Sequence, residues 1–111
     1  MTVPVALVAM LGTGCHSAYI DAVVVNNTSA PVTLLEVDYP SASFGTQLLG
    51  SRKEFHYRFK VQGTGNLKLL WTDPKQQEHS VDGPDLAEGS EGSFRIVIAP
   101  DGVEWQPHLK K

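Results

Sequence analysis

Hydrophobic and polar residues alternate with a period of two along most of the chain beyond residue 18. The clearest segment is residues 54–61 (EFHYRFKV), in which aromatic or aliphatic side chains alternate with polar and charged ones. Such alternation is typical of a strand that buries one face and exposes the other to water. Segments 66–72 (NLKLLWT) and 93–99 (SFRIVIA) follow the same pattern. Each of the three segments is therefore predicted to form a strand.

Further strands are predicted from runs of β-branched residues and from the turn residues between them. Residues 19–27 (YIDAVVVNN) and 32–39 (VTLLEVDY) are such runs, and they flank a turn cluster at 28–31. Shorter strands are predicted at 46–49, 77–82 and 103–106. No segment beyond the N-terminal region has the periodicity of an amphipathic helix.

Seven or eight short strands, separated by turn signals about every eight to twelve residues, predict an all-β fold. We expect an antiparallel β-sandwich of immunoglobulin-like size, with a small β-barrel as the alternative. The chain has a single cysteine, so it lacks the cysteine pair of immunoglobulin domains, and the prediction concerns architecture only. The length of 111 residues, with 41% apolar and 19% charged residues, suits one globular domain with a single core.

The first fifteen residues have a different character. Residues 3–11 carry no charge and are apolar apart from Pro4. This segment is too short to span a bilayer, which needs roughly 20 apolar residues, but it has the length of the apolar region of a secretory signal. The small residues Gly12, Thr13 and Gly14 follow, and then comes Cys15.

The stretch Leu11-Gly12-Thr13-Gly14-Cys15 resembles the lipobox of bacterial lipoproteins. The resemblance implies that the Cys15 thiol receives a diacylglyceryl group and that the chain is cut just before it. Residues 1–14 would then be a removed signal peptide, 15–18 a lipidated N-terminus and short tether, and 19–108 the β-sandwich domain. In lipoproteins of enteric bacteria, an aspartate directly after the cysteine favours retention in the inner membrane. Because His16 takes that place, the resemblance implies an outer-membrane anchor facing the periplasm.

The alternative interpretation of the N-terminal region needs no export. Residues 3–11 would form a buried strand of a cytosolic sandwich, and Cys15 would be an inert thiol that packs as a small apolar side chain.

Two aromatic residues are candidates for binding a partner. Tyr39 and Trp105 are predicted to lie at strand ends, where an exposed ring stacks on a sugar or anchors another protein. Burial in the core or at a sheet edge is the alternative role for both.

The most acidic stretch, residues 82–92, is a candidate cation site. Asp82, Asp85, Glu88 and Glu91 recur every three residues among glycines, and oxygen ligands from flexible loops suit Ca²⁺. The spacing does not match an EF-hand, and a solvated loop is the alternative. His16, His56, His79 and His108 are too far apart in sequence to form a local metal-binding pair, and a site would require them to converge in space.

Composition and motifs limit the remaining classes of function. The 9 basic residues are scattered among 12 acidic ones, which argues against nucleic acid as a partner. No nucleophile elbow and no phosphate-binding glycine loop occur, so we expect neither an enzyme nor a bound cofactor. Two functions remain: a membrane-anchored interaction module that binds an envelope protein or a glycan, and a metal-handling protein that uses histidines and carboxylates.

Overall fold

The computed structural model describes residues 19–110, which form eight strands. The strands are β1 (Tyr19–Asn26), β2 (Val32–Tyr39), β3 (Ala42–Leu49), β4 (Glu54–Lys60), β5 (Gly65–Thr72), β6 (Glu78–Leu86), β7 (Gly92–Ala99) and β8 (Gly102–Leu109). The predictions for residues 1–18, which include the signal peptide, Cys15 and His16, lie outside the described residues.

The strands form two open four-stranded sheets. Sheet A has the order β4-β1-β7-β8, and sheet B has the order β3-β2-β5-β6. All neighbouring strands are antiparallel except β1 and β7, which are parallel. The predicted all-β sandwich is therefore confirmed, and the sheets do not close into a barrel.

The core lies between the two sheets and is built by the alternating pattern of the strands. In β1 the side chains of Ile20, Ala22 and Val24 are buried. Ile96 and Leu69 come from β7 and β5, and both are at most 1% exposed. Each buried side chain of this size contributes roughly 1.5–3 kcal/mol relative to an exposed one, so the two facing sheets hold each other together.

Asn26 links the two sheets at one end of the sandwich. Its side chain is completely buried, and its amide nitrogen donates to the carbonyl oxygens of Ala30 (2.9 Å), Leu49 (3.0 Å) and Gly50 (3.2 Å). Its amide oxygen accepts from the backbone and hydroxyl of Thr28. Because an unsatisfied buried amide is costly, this closed network fixes how the end of β1 sits on the end of β3.

Tyr39 holds the opposite end. The phenol is buried, and its hydroxyl lies 2.5 Å from the Gly63 carbonyl oxygen and 3.0 Å from that of Leu86. Burial raises the pKa of Tyr39, so the hydroxyl stays protonated and donates into this pair of carbonyls. We call this the Tyr39 end; β1 begins here, and the connections 61–64 and 87–91 lie here. The other is the Asn26 end.

A bulge in β2 distorts sheet B. The register with β5 shifts between Thr33 and Glu36, and Leu34 has a φ of 50° and a 64% exposed side chain. The bulge brings the Leu35 carbonyl against β3, where a Cβ on Gly45 would lie 2.0 Å from that oxygen. Only glycine fits at this position of β3.

Candidate functional site on the open side of the sandwich

The four sheet edges lie in two pairs, one on each lateral side of the sandwich. We call the side with β3 and β4 the open side, and the side with β6 and β8 the guarded side. On the open side, β4 pairs with β1 in unbroken register from Lys60 to Glu54, and β3 keeps one register with β2 along its length. Neither strand contains a proline. Both therefore present a regular row of main-chain donors and acceptors at a free edge.

An aromatic cluster closes the core on the open side. It consists of Tyr39, Phe44, Phe55, Tyr57 and Phe59. The ring of Phe44 stacks on Tyr57 with centroids 4.5 Å apart and lies 5.3 Å from Phe59. Phe44 is buried, whereas Tyr57 is 45% exposed and covers the cluster from outside. The alternation in residues 54–61 predicted one apolar face for this strand, and the rings of Phe55, Tyr57 and Phe59 share that face, where each contacts Phe44.

The other face of β4 carries a row of charged and polar side chains. Glu54 lies 3.1 Å from the His56 ring and 3.6 Å from the Arg95 guanidinium. Arg58 lies 3.7 Å from the Asp21 carboxylate and 4.7 Å from the centre of the Tyr19 ring. These groups are exposed, so each pair contributes little to folding stability. Their charges remain accessible to a partner at this edge.

The guarded side is closed by Trp105 of β8. Its indole meets Phe94 edge-on at 6.1 Å and covers Gly83 of β6, where a Cβ would come within 2.6 Å of the ring. The register of β6 shifts opposite Leu67, so Gly83 and Pro84 form a bulge on that edge strand. Bulges and prolines on edge strands prevent pairing with another chain.

A proline also interrupts the β8 edge. Lys110 N–H donates to the Glu91 carbonyl oxygen at 2.7 Å. Hydrogen-bonded and non-hydrogen-bonded pairs alternate along an antiparallel ladder, so the Pro107–Phe94 pair is of the non-hydrogen-bonded kind. The nitrogen of Pro107 therefore faces the free edge, where it offers no donor.

The structure places the two predicted partner-binding aromatics inside the fold. Tyr39 ends β2 as predicted, but its ring is buried and its hydroxyl donates to carbonyl oxygens at the Tyr39 end of the sandwich. Trp105 lies in the middle of β8, because that strand continues to Leu109 rather than ending at residue 106. It is partly buried against the core. The proposed contact of Tyr39 and Trp105 with a partner stays a prediction.

The structure distributes the four predicted cation ligands over two elements. Asp82 and Asp85 lie in β6, opposite Lys68 and Asn66 of β5, whereas Glu88 and Glu91 lie in the connection to β7. Within residues 19–110, no group of three or more histidine, cysteine or acidic side chains is placed to hold a metal ion.

The histidines also lie apart. His56 is on the outer face of β4, and His108 is exposed on β8. His79 lies opposite Trp71 across the β5–β6 hairpin, and its ring stacks on the indole at 4.9 Å.

The His79 imidazole also binds the turn of this hairpin, through Asp73. Its Nε2 is 2.8 Å from Asp73 Oδ2, and Oδ1 of the same carboxylate accepts the backbone N–H groups of Lys75 and Gln77. The hydrogen bond from His79 and the two backbone N–H groups lower the pKa of Asp73. These hydrogen bonds lock the turn.

Sequence reasoning missed one pair of carboxylates. Glu36 and Asp38 lie two residues apart on the outer face of β2, and Ser43 Oγ donates to Asp38 Oδ1 at 2.5 Å. Hydrogen bonding and repulsion from Asp38 raise the pKa of Glu36. The period-two pattern of residues 32–39 already placed both carboxylates on one face, and this was the available signal.

Comparison with known proteins adds no relative. The chain matches no protein-family model, no curated protein and no solved structure. Within the part of the chain that the structure describes, no helix is long and apolar enough to cross a membrane.

Proposed function

We propose that the chain is a lipid-anchored protein of the bacterial envelope whose sandwich serves as a non-catalytic interaction module. The observation that supports the interaction role is the open side. There β3 and β4 present regular edges without proline, and the partly exposed ring of Tyr57 lies between them. A free edge of this kind binds an extended segment of polypeptide by main-chain hydrogen bonds.

The contrast with the guarded side strengthens this argument. Natural sheets protect edges that would otherwise pair with other chains, and β6 and β8 carry such protection in Pro84 and Pro107. The same chain leaves β3 and β4 without it. A protein is therefore favoured over a glycan as the partner, because main-chain pairing needs another backbone.

The proposed anchor rests on the lipobox-like stretch that ends at Cys15. From Cys15 to Tyr19, where β1 begins, the chain advances four residues, which spans at most roughly 14 Å. A lipid on Cys15 would thus hold the sandwich close to the bilayer, with the Tyr39 end nearest the point of attachment. We place the anchor in the outer membrane, with the domain facing the periplasm, because His16 follows the cysteine.

The experiment that tests the anchor is an intact-mass measurement on the full chain expressed in a bacterium, beside a Cys15→Ala variant. The expected wild-type product lacks residues 1–14, carries acyl mass and fractionates with membranes, whereas the variant is expected to show none of these three properties. A full-length, unmodified and soluble wild-type product would overturn the proposal and favour residues 3–11 as an internal strand.

A further inference from the structure

We propose that the partner of the open side is a second copy of this chain, joined by antiparallel pairing of β4 with β4 and with Tyr57 on the two-fold axis. The inference rests on the proposed interaction role of the open side, but it is independent of the lipid anchor. It joins the two copies of sheet A into one continuous eight-stranded sheet.

The main-chain groups of β4 have the required orientation. Asn26 N–H donates to the Lys53 carbonyl oxygen at 3.0 Å, which continues the β1–β4 register by one residue. Because the two kinds of pair alternate along the ladder, Phe55, Tyr57 and Phe59 direct their N–H and C=O groups toward β1. The corresponding groups of the four alternate residues therefore point to the free edge; these residues are Glu54, His56, Arg58 and Lys60.

This arrangement permits a symmetric pair centred on Tyr57. Residues with outward-facing main-chain groups then oppose each other in hydrogen-bonded pairs, and roughly six to eight intermolecular hydrogen bonds form. The Lys60 carbonyl oxygen is the least available acceptor in this row, because the Ser41 hydroxyl already lies 3.4 Å from it. The Tyr57 pair falls at a non-hydrogen-bonded position, where side chains are closest.

The side chains of β4 are complementary to themselves in this register. The segment reads EFHYRFK, so antiparallel pairing about Tyr57 sets Glu54 opposite Lys60 and Phe55 opposite Phe59, each twice. His56 lies opposite Arg58. Opposite charges and aromatic pairs directly across an antiparallel ladder are stabilising, and a two-fold axis repeats each contact.

The remaining edges fit a second copy less well. β3 carries no charged residue, so its side chains specify no register for self-pairing. The edges of β6 and β8 are interrupted by Pro84 and Pro107. Only β4 among the four edges combines an unbroken row of main-chain groups with a self-complementary charge pattern.

Cysteine cross-linking tests the pairing directly. The full chain would carry Cys15→Ser, so that Tyr57→Cys supplies the sole thiol whether or not the native chain is lipidated, and whole-cell extracts would be oxidised and run without reductant. Cα atoms at a non-hydrogen-bonded pair lie about 4.5 Å apart, which is within disulfide range. We expect a covalent dimer from Tyr57→Cys and none from Glu104→Cys, an exposed control on the outer face of β8.

Charge exchange supplies the second measurement and does not depend on the Tyr57 ring. In the proposed register, position 60 of each copy faces Glu54 of the other copy. Lys60→Glu therefore replaces two attractive pairs with two repulsive ones, and we expect the dimer dissociation constant to rise about tenfold or more. The double variant Glu54→Lys, Lys60→Glu restores both pairs and should recover most of the affinity.

Three outcomes would overturn the inference. They are a monomer at all concentrations, preferential cross-linking through His56→Cys, and a double variant no tighter than Lys60→Glu. If the Tyr57→Cys thiol instead forms a disulfide with a different envelope protein, the proposal that the partner is a second copy is wrong, while the proposed interaction role stands. In the intact-mass measurement on the wild type, a missing acyl group would overturn only the proposed lipid anchor.

Discussion

The two lateral sides of the sandwich close the hydrophobic core in different ways. On the guarded side, one tryptophan covers a glycine, and Trp105 and Gly83 fit together so closely that no other side chain fits between them. On the open side, several stacked rings close the core, and Tyr57 remains 45% exposed. The guarded side protects its strand edges with Pro84 and Pro107, and the open side leaves its edges free.

The difference shows that closing the core and protecting a strand edge are separate requirements. Closing the core requires apolar area between the sheets, and both sides supply it. A proline or a bulge protects an edge by interrupting its main-chain hydrogen bonding, and among the four edges only those of the guarded side carry either. An edge without such an interruption beside a well-closed core therefore points to use of that edge, because packing alone does not require it.

The largest effect is expected from removing the centre of the aromatic cluster. Phe44→Ala deletes a buried ring that contacts Tyr57 and Phe59, and we expect the free energy of unfolding to fall by about 3–5 kcal/mol. Urea denaturation followed by tryptophan fluorescence measures it. The matched variant Tyr57→Ala should cost about 1 kcal/mol, because nearly half of that side chain is already in water. Equal losses would show that the open side is not closed by Phe44.

The next effect breaks the closure of the guarded side. Gly83→Ala places a methyl group against the indole of Trp105, and we expect a loss of about 1–3 kcal/mol from overpacking. Trp105→Leu makes room, so in a double-mutant cycle the alanine should cost little in that background. Additive losses would mean that the two residues are not in direct contact.

A smaller effect on folding is expected from replacing Pro107, the proline at the free edge of β8. Pro107→Thr restores a donor at the free edge and should change the free energy of unfolding by less than about 1 kcal/mol. It should, however, raise self-association in sedimentation velocity as concentration increases. If the variant associates no more than the wild type, Pro107 does not protect this edge.

The smallest effect concerns the hairpin that carries β6. The folded-state pKa of Asp73 is below its ordinary value, so its contribution is complete above the unfolded pKa of about 3.9 and is lost as the pH falls through the lower folded value. Between about pH 6 and pH 2.5, the wild type should therefore lose more stability than Asp73→Asn. Parallel pH profiles in urea titrations would show that the carboxylate is not held by His79.

The fold was largely predictable because its strands bury one face each. Residues 32–39 match β2, and 54–61 overlaps β4 almost completely, since alternation is a local signal. Residues 77–82 capture only the first part of β6, because Gly83 and Pro84 continue the strand through a bulge. The strand predicted at 46–49 begins at Ala42, before the Gly45 that the bulge of β2 requires.

The candidate site was less predictable, because edges and sides are properties of the topology. Strands β4 and β5 follow each other in sequence after a short connection, but they lie in different sheets. Nothing in residues 54–61 indicates that β4 has a neighbour on one side only. Tyr39 and Trp105 were singled out as aromatic residues, and their burial became visible only once the sheets were assembled.

The position of β1 has a consequence for how the chain folds. β1 is an interior strand of sheet A, and its partners are β4 and β7, with Ile20 opposite Gly92 in the parallel pair. Among the eight described strands, β1 therefore gains its second neighbour only after β7 has been synthesised. Pairing across so much sequence is slow, because the intervening loop must be closed first. Sheet A consequently completes its pairing only after residues 19–109 have all been synthesised.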